Sequence, residues 1–488
     1  MKKIYYVLSL FLLFGGLTLH SCTGEFEEIN TDPNNPIAIS PALLLPNAIQ
    51  TTVDRYWGHS TRYQRLNIDA AMCWVQHISR NIYINAEGDS YEVPLTIGSA
   101  TWDNIYTNAL VNFQSVINLS QEGGAYQNSN YHGIALTMRS FAFAYLTDVF
   151  GPIPYSKALQ GAAEVSINSP DYDDMESVYS GLLADLKLAN ELLRVSGPPV
   201  SGDILFNGDI LRWKKFTNSL ALRLANRQAA KKPDASRAIM ADILADPETY
   251  PVFTGNEDFA ELLHVDVIGS RNKMFDVFST RSDWNVSSTF IDKLLELDDP
   301  RISVYAQPLA DGTYAGLPNG LTDAAAGTFN ASRIGSKYFS PTAPSILMTY
   351  AELLFIKAEA AYDGDITGSA DLLLAEAINA SFDQHGLIMP SDYMSRLGTV
   401  NKEVILTQKW IALFGQGVEA WTEYRRTGYP VMPAKHPNAV FSNEGVLPTR
   451  IEYPTSEYSL NRDNLEEGLG YLGGSDNMRT PLWWVETN

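Results

Sequence analysis

Apolar side chains recur at steps of three and four along most of the chain from Ser40 to about Asp246, the spacing of helices with one buried face. Trp213, Phe216, Leu220 and Leu224 share such a face, with Asp209 placed to cap its first turn, and Val178, Leu182, Leu186 and Ala189 share another one helix earlier. Between Pro251 and Pro344 the period is lost. Gly and Pro interrupt it, and polar residues alternate with aromatics, as in the run Leu309 to Pro318. Only Ser287 to Leu297 reads as helix there, ahead of Asp299-Pro300-Arg301. Helical spacing returns over Ile346–Phe382 and again from Glu403 to Arg425; from Gly428 onward Pro, Asn and Gly dominate and predict coil.

The pattern therefore predicts a mainly α fold. Its helical scaffold covers about 40–250 and 346–428, a loop-rich layer about 251–345, and a C-terminal coil about 429–488, within one domain over 40–488. Long irregular stretches inside a compact protein are usually functional or disordered, so 251–345 is the expected ligand-facing layer. Ala358, Ala370, Leu374 and Ala377 follow one another at steps of twelve, four and three across a turn at Asp363-Gly364-Asp365. That register lets two helices approach closely and matches a tetratricopeptide unit.

The N-terminus changes the picture. Lys2 and Lys3 precede a nearly unbroken apolar run from Ile4 to Leu19, the form of a secretory signal over 1–21 and too short for a stable span. The run meets Leu19-His20-Ser21-Cys22, a lipobox-like site that predicts acylation of Cys22. Acyl chains anchor durably when several act together, at roughly 0.8 kcal/mol per buried methylene. Residues 22–39 are polar, acidic and rich in turn formers, and read as the lipidated N-terminus and a tether. Glu25, Glu27 and Glu28 are open to two readings, a solvated run or part of a sorting signal. Once Cys22 is acylated Cys73 has no disulfide partner, and its apolar neighbours predict a buried thiol.

The chain holds 35 basic and 56 acidic residues; without Lys2 and Lys3, 33 basic residues remain and the formal charge is −23. So acidic a surface disfavours nucleic acid, which needs clustered Lys and Arg. Catalytic and metal signatures are weak. Gly468 to Gly473 matches GxGxxG by letter, yet it lies in expected coil rather than at a strand-to-helix turn. Asp363, Asp365, Thr367 and Gly368 begin like a calcium loop, but Leu374 stands where a bidentate Glu is needed. There is no HExxH, no zinc spacing and no GxSxG. No cofactor and no metal are expected.

Sugar binding needs flat aromatic faces beside hydrogen-bonding side chains. With 25 Tyr and 9 Trp the composition permits it. Two stretches offer both: Arg80, Asn81 and Tyr83, continuing to Trp102 and Asn104, and Arg281, Asp283 and Trp284; Tyr314 stands in the same irregular layer as the second. Trp102 is open to either reading, a ligand face or core packing at a helix start. Trp483 and Trp484 read as a hydrophobic plug.

Several segments resemble the SusD/RagB family of nutrient-binding outer-membrane lipoproteins, in its SusD-like branch. They are Phe26-Glu27-Glu28-Ile29-Asn30-Thr31-Asp32-Pro33-Asn34, Asp148-Val149-Phe150-Gly151-Pro152-Ile153-Pro154-Tyr155, the stretches Trp213 to Leu220 and Leu222 to Ala225, Tyr350-Ala351-Glu352 with Ala358-Glu359-Ala360, and Glu419 to Gly428. The resemblance implies four tetratricopeptide-like helix pairs beneath an irregular ligand face, and a binding role rather than an enzyme's. It implies a SusC-like TonB-dependent transporter as partner and attachment to the outer membrane facing the exterior, and the anchor, these motifs and the aromatic polar loops together point to an oligosaccharide ligand. A peptide ligand, a secreted glycoside hydrolase and a purely structural lid are the rival readings.

Overall fold

The computed structural model describes residues 39–59, 61–62, 64–84, 88–161 and 166–486. The signal sequence, Cys22 and nearly all of the tether lie outside the described residues. The scaffold begins with α1 (Pro41–Trp57) and, after β1 (Ile78–Arg80), continues through α2 (Leu95–Asn104) and α3 (Val111–Ser120), which are joined by a π-helical turn. Next come α4 (Ser129–Phe150), α5 (Met175–Leu192), α6 (Ile210–Arg227) and α7 (Pro233–Ala245), each packed against the one before it. The caps follow the sequence. Asn128 accepts from the amides of Asn130 and Tyr131 at the head of α4, and Asp209 accepts from Arg212 at the head of α6. Gly151 closes α4 at φ +99°, a conformation that L side chains resist.

Residues 251–345 are irregular but not structureless. They hold β2 (Ala260–Leu262), β3 (Trp284–Val286), α8 (Ser288–Glu296) and the single turn α9 (Asp323–Ala326). The expected helix at 346 starts late: Ser345–Met348 is instead β4, antiparallel to β2, and α10 runs Tyr350–Tyr362. Ile346, Leu347 and Met348 are all buried, a continuous apolar run that fits a covered strand as well as a helix. α10 pairs closely with α11 (Ala370–Asp383), with Ala358, Leu374 and Ala377 fully buried and Gly364 at φ +79° in the turn between them. The carboxylates of that turn are held by cations, Asp363 by Lys402 at 2.9 Å and Asp365 by Arg237 at 3.0 Å.

The long helix expected over 403–425 is two, α12 (Lys402–Ala412) and α13 (Gly417–Thr427), broken where Gly415 takes φ +91° against Trp57 and Tyr338. The coil expected over 429–488 also needs correction. It contains α14 (Thr455–Leu460) and α15 (Arg462–Gly470), the latter docked through buried Leu465 and Leu469. Gly468 of the GxGxxG match lies in the last turn of α15, where a Cβ would stand 2.7 Å from the Tyr172 ring. It is a close-packing glycine at a helix end.

Charge binds the scaffold at its centre. Arg227 of α6 holds Asp148 of α4 at 2.6 Å and also pairs with Glu419 of α13. Arg223 grips Glu352 of α10, and Glu423 of α13 receives both Lys409 and Arg426 at 2.7 Å. All of these groups are buried. Desolvation offsets much of the Coulomb gain of such pairs; their strongest effect is the penalty for leaving one member alone. Trp484 is fully buried and donates to Asp148, so the C-terminal tryptophan closes the same centre. Trp483 packs partly buried against the Tyr179 ring. The Cys73 thiol is buried and donates to the Ile68 carbonyl at 3.7 Å.

Candidate functional site

β1 and β3 form an antiparallel ladder with Arg80 opposite Trp284, Ser79 opposite Asn285 and Ile78 opposite Val286. This short ladder brings together the two polar aromatic stretches singled out in the sequence, although about 200 residues separate them. Asn81 extends the junction. Its amide N–H donates to the Asp283 carbonyl at 2.9 Å, and its side chain donates to the Ser282 carbonyl and to Asn285 Oδ1, each at 2.7 Å.

Beneath the junction the charged and aromatic residues pack on one another, although the buried Trp284 indole N–H meets no hydrogen-bond acceptor among the described residues. Arg80 is fully buried, donates to Asp69 at 3.2 Å and lies 3.7 Å from Asp283. Its guanidinium sits over the Trp284 ring, and Phe278 meets that ring edge-on at 5.1 Å. Trp284 is 2% exposed. Arg80, Asp283 and Trp284 are thus the foundation of the site and not its open face, a correction of the expectation that Trp284 stacks on a ligand. Its polar neighbours suggested exposure, but both are themselves buried and partnered.

Tyr83 sits above. It has φ +59°, and its backbone N–H and that of Ile84 donate to the two oxygens of Asp323 at 3.0 and 2.9 Å. Ile84 anchors the turn in a small cluster with Leu317, Leu321 and Ala326. The Tyr83 ring is left 42% exposed, with Arg62 4.5 Å and Arg281 5.3 Å from its centroid. Arg281 is braced by Asp283 at 2.7 Å, a bond that raises the guanidinium's affinity for its proton. The result is a partly exposed tyrosine with two planar cations over its ring, and exposed Ile82 beside it. Sequence reasoning missed Arg62 and Asp323, because their roles depend on contacts across the fold rather than on local spacing.

Trp102 and Asn104 do not join this site. Trp102 is 4% exposed on α2 and packs among Tyr106, Phe150, Tyr172 and Tyr453, so of its two readings the structure takes core packing. Asn104 donates back to Ala100 within the helix at 2.7 Å. Tyr314 is half-buried against the core in the irregular layer. Among the described residues no group of three or more His, Cys, Asp and Glu is placed to hold a metal ion, and no helix is long and apolar enough to cross a membrane.

Residues 33–454 match the SusD-like family described as "Starch-binding associating with outer membrane". The chain belongs to the SusD-like family. Solved structures agree in fold. A chitin-binding protein is 28% identical with a TM-score of 0.80, over 92% of this chain and all of that one. A SusD homologue from Bacteroides uniformis is 25% identical with a TM-score of 0.79, over 91% of this chain and 99% of that one. A chitin-binding SusD homologue from Flavobacterium johnsoniae, at 24% identity and a TM-score of 0.78 over 91% and 99% of the two chains, is a likeness of fold alone. No curated protein matches the chain.

Proposed function

We propose that this SusD-like protein is a cell-surface lipoprotein, acylated at Cys22, that binds an oligosaccharide and delivers it to a SusC-like TonB-dependent transporter in the outer membrane. The observation that carries the reading is the exposed cluster of Tyr83, fixed by Asp323, with Arg62 and Arg281 over its ring. A pyranose presents hydroxyls to such guanidiniums and apolar C–H groups to the part of the ring that they leave open. Membership of a starch-binding family supports a glycan, and the 28% identical chitin-binding protein makes N-acetylglucosamine oligomers the first probe.

A peptide would be read by Asn and Arg side chains aimed at its backbone. Here the side-chain amides of Asn81 and Asn285 bond to the protein's own carbonyls, and Arg80 is buried on Asp69, which favours the sugar. Asp283 is likewise engaged by Arg80 and Arg281, a poor setting for a general acid or base. The test is calorimetry of the full chain in detergent against a panel of neutral oligosaccharides that includes chitin fragments. Saturable heat with no turnover is expected; silence across the panel, or hydrolysis of a bound glycan, overturns the reading. Co-purification of a TonB-dependent barrel from native outer membranes tests the partner.

A further inference from the structure

Beyond the Tyr83 surface the fold holds a hollow. A cleft of about 690 Å³ lies between α8 and the segment 430–437. Its size falls within the roughly 300–1,000 Å³ of small-ligand sites. α8 buries Phe290, Ile291 and Leu294 and turns Thr289, Asp292, Lys293 and Glu296 toward the cleft, the three-and-four spacing of one helix face. Lys293 and Glu296 pair with each other at 2.7 Å. The carboxyl of exposed Asp292 makes no hydrogen bond or ion pair with any described residue, and partial desolvation raises it above the ordinary aspartate value.

The opposite wall is mostly apolar, with Lys435 and His436 as its polar members. Pro430, Pro433 and Pro437 line it, with Val431 68% exposed between them. Proline-fixed backbone loses little freedom when a ligand settles on it. A mostly apolar wall facing one of hydroxyl, carboxylate and ammonium groups matches the polarity of a pyranoside chain, with C–H faces on one side and hydroxyls on the other.

The chain ties this cleft to the Tyr83 surface. Pro318 and Asn319 line the cleft, and Asp323, four residues after Asn319, holds the Tyr83 turn. α9 then covers about 6 Å at 1.5 Å per residue. Three residues past its end stands Phe329, 40% exposed, its ring edge-on to His436 at 6.0 Å. His436 lines the cleft. An exposed aromatic thus marks the way from one region to the other.

Resting on the glycan-binding reading, we propose that the cleft between α8 and residues 430–437 is a second subsite, taking the sugar units of an oligosaccharide that extends from Tyr83 past Phe329. Asp292 accepts from sugar hydroxyls there, and the proline wall receives the C–H faces. Short oligosaccharides engage Tyr83 alone, whereas longer ones engage both regions, so affinity rises with chain length.

The experiment is calorimetry of the full chain in detergent with N-acetylglucosamine oligomers of two, four and six units. It compares wild type, Tyr83→Ala and two surface changes in the cleft, Asp292→Ala and Val431→Glu, each checked for an unchanged melting temperature. Tyr83→Ala is expected to weaken every length. The cleft variants are expected to leave the dimer unaffected and to weaken the hexamer about tenfold, the scale of one good polar or apolar contact. Hexamer affinity equal to dimer affinity in wild type, or cleft variants that change no length or all lengths alike, overturns the second subsite while leaving glycan binding intact. No heat from any oligomer overturns it together with the reading on which it rests.

Discussion

Arg80 and Trp284 stand opposite each other on the β1–β3 ladder, the guanidinium carbon 4.7 Å from the centroid of the indole ring. Each has the chemistry of a sugar-binding residue, and each is used up by the other. Arg80 is held by Asp69 and lies within ion-pair distance of Asp283, while Trp284 is closed over by Phe278. The pair converts two candidate ligand residues into the platform on which Tyr83 is raised.

Trp284→Ala is therefore expected to act on stability. Removing a buried tryptophan costs about 3–5 kcal/mol through lost burial and the cavity left behind. Urea unfolding checks it, and a midpoint unchanged from wild type would contradict the packing described here.

Glu423→Gln removes the anion shared by Lys409 and Arg426 at 2.7 Å. Breaking one member of a buried network leaves uncompensated charge, at a cost of about 3–5 kcal/mol. Burial alone would raise the Glu423 carboxyl, but Arg426, Lys409 and Arg227 outweigh it and hold it well below the ordinary glutamate value of 4.5. With the folded value depressed, the stabilisation is present above pH 4.5 and is lost as pH falls through the lower, folded value. Wild type and variant should differ most near neutral pH and converge in strong acid, as followed by circular dichroism.

Asp54 gives the opposite sign. Burial pushes its carboxyl up to about 6 from 3.8, only partly countered by Lys273, Gln50 and Arg55. The protonated form is the one that the fold favours, so the Asp54 contribution to stability is fully present below 3.8 and is lost as pH rises from there through about 6. Asp54→Asn should raise stability at pH 7 by on the order of 2 kcal/mol and change nothing at pH 3. Melting curves at the two pH values decide it.

Helix faces were legible in the sequence because periodicity is local. Trp213, Phe216, Leu220 and Leu224 are buried along one side of α6 with Asp209 as its cap, and the α10–α11 turn falls where Gly364 was read. The breaks were harder to see. Nothing in 403–425 announces that Gly415 must leave the helix to clear Trp57 and Tyr338, and an apolar run such as Ile346 to Met348 suits a buried strand or a helix equally. The site was legible in composition but not in exposure. Arg80 to Tyr83 and Arg281 to Trp284 were read as one kind of surface, yet which side chains emerge is decided by a ladder spanning about 200 residues and by Asp323, which no spacing rule links to Tyr83.

The anchor is tested apart from the fold. Cys22→Ala should abolish incorporation of labelled palmitate and release the protein from the membrane fraction, since no acyl chain remains to hold it. A variant that still sediments with outer membranes would contradict lipid anchoring at this residue.

The most direct test of the whole account is calorimetric titration of N-acetylglucosamine hexamer into the full chain, beside the Tyr83→Ala variant. Wild type is expected to bind, and the variant to retain its melting temperature while losing about tenfold in affinity, near 1.4 kcal/mol. Equal affinity in the two proteins would contradict the placing of the ligand on the Tyr83 surface.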